Sequence, residues 1–115
     1  MRKLERLMNM AITHKTDWSS SNTQVNYNSN TNCSQIYLHG HHIATFCHET
    51  RAVKIDSCGY ETVTTKSRLN ALLEEVKYGC RVFQKNFDWF VNYNNQTTLF
   101  RDGMILLDAD SLVTA

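Results

Sequence analysis

The sequence predicts an α+β domain: an antiparallel sheet of about five to seven short strands, one central helix packed on it, and an amphipathic helix at the N-terminus. Three observations predict it. Two segments carry apolar residues at helical spacing, one near the start and one after residue 68. Most other apolar residues alternate along short runs, as half-buried strands do. Turn-sized breaks separate those runs, and strands joined by tight turns pair antiparallel.

The first helix is expected over residues 1–16. Leu4, Leu7, Met8, Ala11 and Ile12 recur at i, i+3, i+4, i+7 and i+8, with Arg2, Lys3, Glu5, Arg6 and Asn9 on the other sides. So short a helix is marginal alone, so its stripe should dock on the sheet or on a second copy of the chain. Residues 17–33 are polar and read as a connection or an edge strand, with Val25 and Tyr27 alternating. Trp18 stands alone there, either anchoring the segment onto the core or offering a ring to a partner.

Residues 34–48 read as a β-hairpin turning at Gly40-His41, a two-residue turn with glycine first. That register sets His39 against His42, Leu38 against Ile43 and Tyr37 against Ala44. Ile36, Leu38, Ile43 and Cys47 then share one face, and Tyr37, His39, His42, Ala44 and Phe46 the other. Val53 and Ile55 alternate in the next strand, and Ser57-Cys58-Gly59 makes a turn. Thr64 or Thr65 is the expected N-cap of the central helix. Its stripe is Leu69, Leu72, Leu73 and Val76, and Gly79 stands where a C′ glycine belongs. Phe87, Trp89, Val91 and Tyr93 then alternate, with a bend at Lys85-Asn86. Asn94-Asn95 and Asp102-Gly103 are turn candidates, residues 34–107 form the core, and 108–115 are a tail.

The chain has 115 residues and a mass of 13.3 kDa, which fits one domain over 1–115. Such a chain buries roughly two-thirds of its unfolded surface, enough for a core without staples. It has no run of about 18 apolar residues, so a membrane-spanning helix is excluded. Twelve basic and eleven acidic residues leave a net charge of +1, so no strong global field draws it to nucleic acid or a membrane. The start, MRKLERLMNMAI, lacks the apolar stretch of an export signal. The cysteines at 33, 47, 58 and 80 form no C-x-x-C pair, and free thiols in a reducing cytosol are expected, although an even count permits two disulfides.

Five histidines suggest a metal site, but one hairpin supplies two facing ligands where zinc wants three or four. Cys47 and His48 are adjacent and point to opposite faces of a strand, so they do not make a nucleophile and base. There is neither a G-x-S-x-G motif nor a glycine-rich phosphate loop. We therefore expect no catalytic residues, no metal and no cofactor. The best local signal is Thr64, Thr65, Lys66, Ser67, Arg68 and Asn70, which sets hydroxyls and cations at a helix start, where anions are favoured. The bland alternative is that Lys66 and Arg68 solvate the helix or pair with Glu61, Glu74 or Glu75.

The stretches MRKLERLMNMAI, DWSSSNT, YLHGHHIAT, GYETVTTKSRLNALL, VFQKNFDWFV and FRDGMILL together resemble a widespread family of small, uncharacterised tailed-phage proteins. The likeness covers nearly the whole chain. It departs at Tyr60, where members often carry Trp, and at His41, where they often carry Asn. It implies a phage product made in the host cytoplasm and supplies no activity. Three functions follow as expectations. The first is a non-enzymatic binding module on a host protein, serving takeover or anti-defence, with Trp18, Tyr60 and Trp89 as contact candidates. The second is a nucleic-acid or nucleotide binder, including a nucleotide-signal sponge, using residues 64–70. The third is a virion or assembly component. A homo-oligomer, most simply a dimer, is also expected, because the N-terminal stripe and the aromatics exceed what one small sheet needs.

Overall fold

The computed structural model describes residues 2–107; the expected tail at 108–115 lies outside them. Along the chain come α1 (Lys3–Thr13), β1 (Trp18–Ser20), β2 (Thr23–Asn28), β3 (Cys33–Leu38), β4 (His41–Cys47) and β5 (Val53–Ile55). Then follow α2 (Val63–Val76), β6 (Arg81–Lys85), β7 (Asp88–Tyr93), β8 (Gln96–Leu99) and β9 (Met104–Leu106). The class is α+β with both helices in place. The described residues make nine strands in two sheets, ordered β1-β2-β3-β4-β5-β9 and β6-β7-β8, with antiparallel neighbours throughout.

Helix α2 explains why there are two sheets. It packs against α1 on one side and β6 on another, so its flanks need separate covers. Burial alternates along β3 and β5, which gives the larger sheet one core face and one outer face. The core face carries Val25, Ile36, Leu38, Val53, Ile55 and Leu106, and meets Met8, Ile12, Leu69, Leu72 and Leu73 from the helices.

Several elements differ from the pattern-based expectation. Residues 17–33 are not a loose connection but hold two paired strands, β1 and β2, with Val25 fully buried. The β3–β4 turn is His39-Gly40, not Gly40-His41. Both residues have positive φ, 52° and 78°, as a type I′ turn requires, and that turn matches the twist of the flanking strands. Leu38 therefore faces His41, and Tyr37 faces His42, so His39 and His42 are not opposed. A bulge then inserts Ile43, Ile36 pairs with Ala44, and Ile43, Ala44 and Phe46 are all buried. One extra residue exchanges the faces beyond it, which is why Ala44 and Phe46 turn inward rather than outward.

In α1 the buried face is rotated from the apolar stripe. Glu5 and Asn9 are buried, whereas Leu7 and Met10 are exposed. The rotation follows from polar partners on α2, described below. The N-cap of α2 is Thr62 rather than Thr64 or Thr65: its side chain accepts a hydrogen bond from Thr65 N at 3.1 Å. The helix ends at Lys77, whose N–H reaches Leu73 O, so Gly79 falls one residue beyond the C′ position. Phe87 does not alternate within a strand. It sits with Asn86 in the β6–β7 turn, both at positive φ, 52° and 71°. The Asn94-Asn95 turn and the Asp102-Gly103 turn stand as expected.

Candidate functional site

The segment before α2 is held in place by a distant carboxylate. Asp102 Oδ1 accepts from Ser57 N at 2.8 Å and from Ser57 Oγ at 2.7 Å. Tyr60 N donates to Ser57 O, and the turn directs the Tyr60 ring onto His41, with centroids 4.6 Å apart and planes 31° apart. A cleft of about 340 Å3 opens between two walls. Leu38, His39, His41 and Ile43 come from the β3–β4 tip. Ser57, Tyr60, Thr62, Thr64 and Thr65 come from the approach to α2 and its first turn. The lining is thus two imidazoles, a phenol and four aliphatic hydroxyls over a short apolar floor. Ser57 Oγ is already bonded to Asp102, and Thr62 and Thr65 to each other, so the exposed rings and Thr64 are the groups that face the opening.

The six residues singled out at the helix start do not act together. Successive helical residues turn by about 100°, so a run of polar residues is distributed around the axis. Thr64 and Thr65 reach the cleft. Lys66, Ser67 and Asn70 line a separate hollow of about 300 Å3 with Arg2, Glu5 and Arg81. Asn70 is occupied structurally: its amide donates to Val82 O at 2.9 Å and accepts from Val82 N at 2.8 Å. Lys66 Nζ lies 3.4 Å from Gln84 Oε1 and 5.8 Å from the centre of the Trp89 ring.

Arg68 is 4% exposed and turned inward. Its Nη1 donates to Glu5 Oε2 at 2.8 Å, its Nε to Thr23 Oγ1 at 2.9 Å and its Nη2 to Asn22 Oδ1 at 3.3 Å. Ser67 Oγ donates to the same Glu5 oxygen at 2.5 Å. The partner of Arg68 is thus Glu5, not Glu61, Glu74 or Glu75. Burial alone would raise the Glu5 carboxyl, but the hydrogen bonds from Ser67, Arg68 and Arg2 N outweigh it and leave the group below its ordinary value. Asn9, one turn along α1, donates to Ala71 O at 3.0 Å, which continues the polar seam between the helices.

The aromatic candidates separate just as clearly. Trp89 is a core residue, packed edge-on against Phe100 with centroids 5.4 Å apart. Trp18 is half-buried against the core. Tyr60 is 53% exposed and stays at the surface. Two further exposed apolar residues share its end of the molecule. Asn70 contacts Val82 and Lys66 approaches Gln84, so β6 runs back toward the start of α2 and carries the β6–β7 tip there. That tip bears Phe87, which is 91% exposed, and the first residue of α2, Val63, is 71% exposed.

His48 differs from the cleft imidazoles. Its Nε2 lies 2.8 Å from Ser34 Oγ, and burial, then Lys15 and Arg51, hold its pKa below the ordinary value. The pattern did not single out Glu5, His39, Ser57 or Thr62. Only Thr62 carried a local signal, as one of three nearby threonines able to cap the helix. Among the described residues, no group of three or more His, Cys, Asp or Glu is placed to hold a metal ion. No helix among them is long and apolar enough to cross a membrane.

No curated protein and no solved structure matches the chain. The model of one phage protein family, described as Kyanoviridae Gp96 protein, matches residues 1–107. A match over so much of the chain agrees with the likeness seen in its sequence, and the protein belongs to the Kyanoviridae Gp96 family.

Proposed function

We propose that the protein is a non-enzymatic binding module, made in the host cytoplasm during infection, that engages a host protein through the end of the molecule where α2 begins. The observation that carries this reading is Phe87. A left-handed backbone costs a non-glycine residue about 1–2 kcal/mol, and glycine would relieve it. Phe87 keeps that conformation at φ 71° while presenting its ring to solvent. Neither the turn nor the core needs a phenyl ring there, and strain that folding does not require gathers at working sites. Tyr60 and Val63 add exposed apolar surface at the same end, and exposed aromatics are common anchors of protein interfaces. Self-association belongs to the same reading, supported by Leu7 and Met10 on the outer side of α1.

Phe87→Gly tests this directly. The variant should unfold at a higher temperature and lose the partner. Tagged wild-type protein should retain one host protein after nuclease treatment, and Phe87→Gly should not. Loss of binding with a gain in stability separates recognition from folding; binding retained by the variant defeats the reading.

A second reading, a nucleotide-capturing protein, is supported by the cleft. Its volume and its hydroxyl and imidazole lining suit a single base or sugar phosphate better than a long nucleic acid. With Arg68 neutralised by Glu5, that reading rests on Thr64, His39, His41 and Tyr60. Thermal stabilisation by one member of a nucleotide panel, lost in Tyr60→Ala, would favour it over the first.

A further inference from the structure

Cys33 and Cys47 are direct partners in the β3–β4 ladder. Their sulfurs lie 2.8 Å apart, and both residues are partly exposed. The ladder geometry says which kind of pair they form. His48 N donates to Asn32 O at 3.0 Å, whereas Cys47 N turns away to Ala52 O. Antiparallel ladders alternate, so Cys33 and Cys47 occupy the non-hydrogen-bonded position next to that bond. There the Cα atoms approach to about 4.5 Å and the side chains are closest, within the span a disulfide bridges without moving the backbone. Cys58 stands apart: its thiol donates to His42 O, five residues up β4 from Cys47, roughly 16 Å along a strand.

We propose that Cys33 and Cys47 form a redox-active dithiol that closes to an intrachain disulfide on reaction with a small-molecule disulfide such as oxidised glutathione. The thiolate of Cys33 attacks one glutathione sulfur, the glutathione S–S bond breaks, and one glutathione leaves as its thiolate. Cys47 then gives its proton to solvent and attacks the Cys33 sulfur, expelling the second glutathione. Two protein thiols are oxidised and one glutathione disulfide is reduced to two thiols. Burial, then the neighbouring Cys33, push the Cys47 thiol up to about 11, which suits Cys47 to the second, resolving step. The bond would close the open end of the hairpin whose tip supplies His39 and His41 to the cleft. The inference stands independently of which partner the cleft end takes.

The test uses the full chain and a Cys58→Ser, Cys80→Ser variant in glutathione buffers of increasing oxidised fraction. Both should lose two titratable thiols and about 2 Da per chain. Peptide mapping should join Cys33 to Cys47. The thermal midpoint should rise by several degrees on oxidation and fall back with dithiothreitol. Cys33→Ser and Cys47→Ser should each stop at a glutathione adduct or a free thiol, with no such rise. A mapped bond to Cys58 or Cys80 in the full chain, a link between chains, or Cys33 and Cys47 thiols that survive the most oxidising buffer would overturn the proposal. So would a glutathione adduct that persists on Cys33 or Cys47 of the Cys58→Ser, Cys80→Ser variant.

Discussion

Two groups of polar residues on α2 look alike in the sequence and live in opposite environments. Arg68 faces inward, and with the half-buried Ser67 and with Glu5, Thr23 and Asn22 it forms a network of bonds at 2.5–3.3 Å. Thr64, one turn earlier, is half-exposed at the border of an open cleft, with Thr65 buried in its wall. The inner group joins α1, α2 and β2, so its charge is spent on architecture. In the outer group the Thr65 hydroxyl meets Thr62 Oγ1 at 3.0 Å, so Thr64 is the member left to meet something else at the cleft. Polarity at a helix start therefore indicates a binding surface only where no neighbouring element supplies the counter-charge.

The contrast breaks most visibly at Arg68. Removing one member of a buried ion pair leaves the other charge stranded, at a loss of about 3–5 kcal/mol. Arg68→Ala should lose that much in urea unfolding at pH 7, and a loss under about 1 kcal/mol would show that the seam is not structural. Acid sharpens the same point. The Glu5 carboxyl is held below its ordinary 4.5, so its contribution is present above that pH and is lost as pH falls through the lowered folded value. His48 is held below 6.5, so the unfolded chain binds its proton first, and stability declines as pH falls from 6.5 toward the lowered folded value. Stability should thus fall in two stages, and Ser34→Ala with His48→Gln should remove the upper one. An unchanged profile in that double variant would refute the assignment.

At the outer group the expected effects are smaller. Thr62→Ala should remove the cap bond to Thr65 N and cost about 1 kcal/mol, measured by thermal unfolding, whereas Thr64→Ala should cost far less. Equal losses would return the cap to Thr64. Tyr60→Ala should shift stability by no more than about 0.5 kcal/mol, because the ring rests on an exposed imidazole rather than in the core. A larger loss would make Tyr60 a structural residue and remove it from the cleft argument.

Some of this was legible in the sequence and some was not, for physical reasons. The stripe from Leu69 to Val76 set the central helix, because burial of one helical face repeats every three or four residues. Asn94-Asn95 gave its turn away because asparagine tolerates positive φ. The hairpin tip was misplaced by one residue, since glycine serves either position of a two-residue turn and local alternation does not see a bulge at Ile43. The α1 face was misread because the seam that buries Glu5 is closed by Arg68, 63 positions away. Thr64, Thr65 and Tyr60 were singled out from their residue types and do border the cleft. His39, His41 and Ser57 join them only through topology, which no local pattern encodes.

The strand order has a consequence for synthesis. β9 is made after the other eight described strands but lies beside β5, with Leu106 opposite Val53 and Met104 opposite Ile55. While α2 and the three-stranded sheet are being translated, one side of β5 offers unpaired amides flanked by Val53 and Ile55. That is a template another nascent chain can extend. β9 thus acts as a seal on the ribosome's unfinished product, and truncation just before Met104 should yield inclusion bodies rather than a slightly weakened domain.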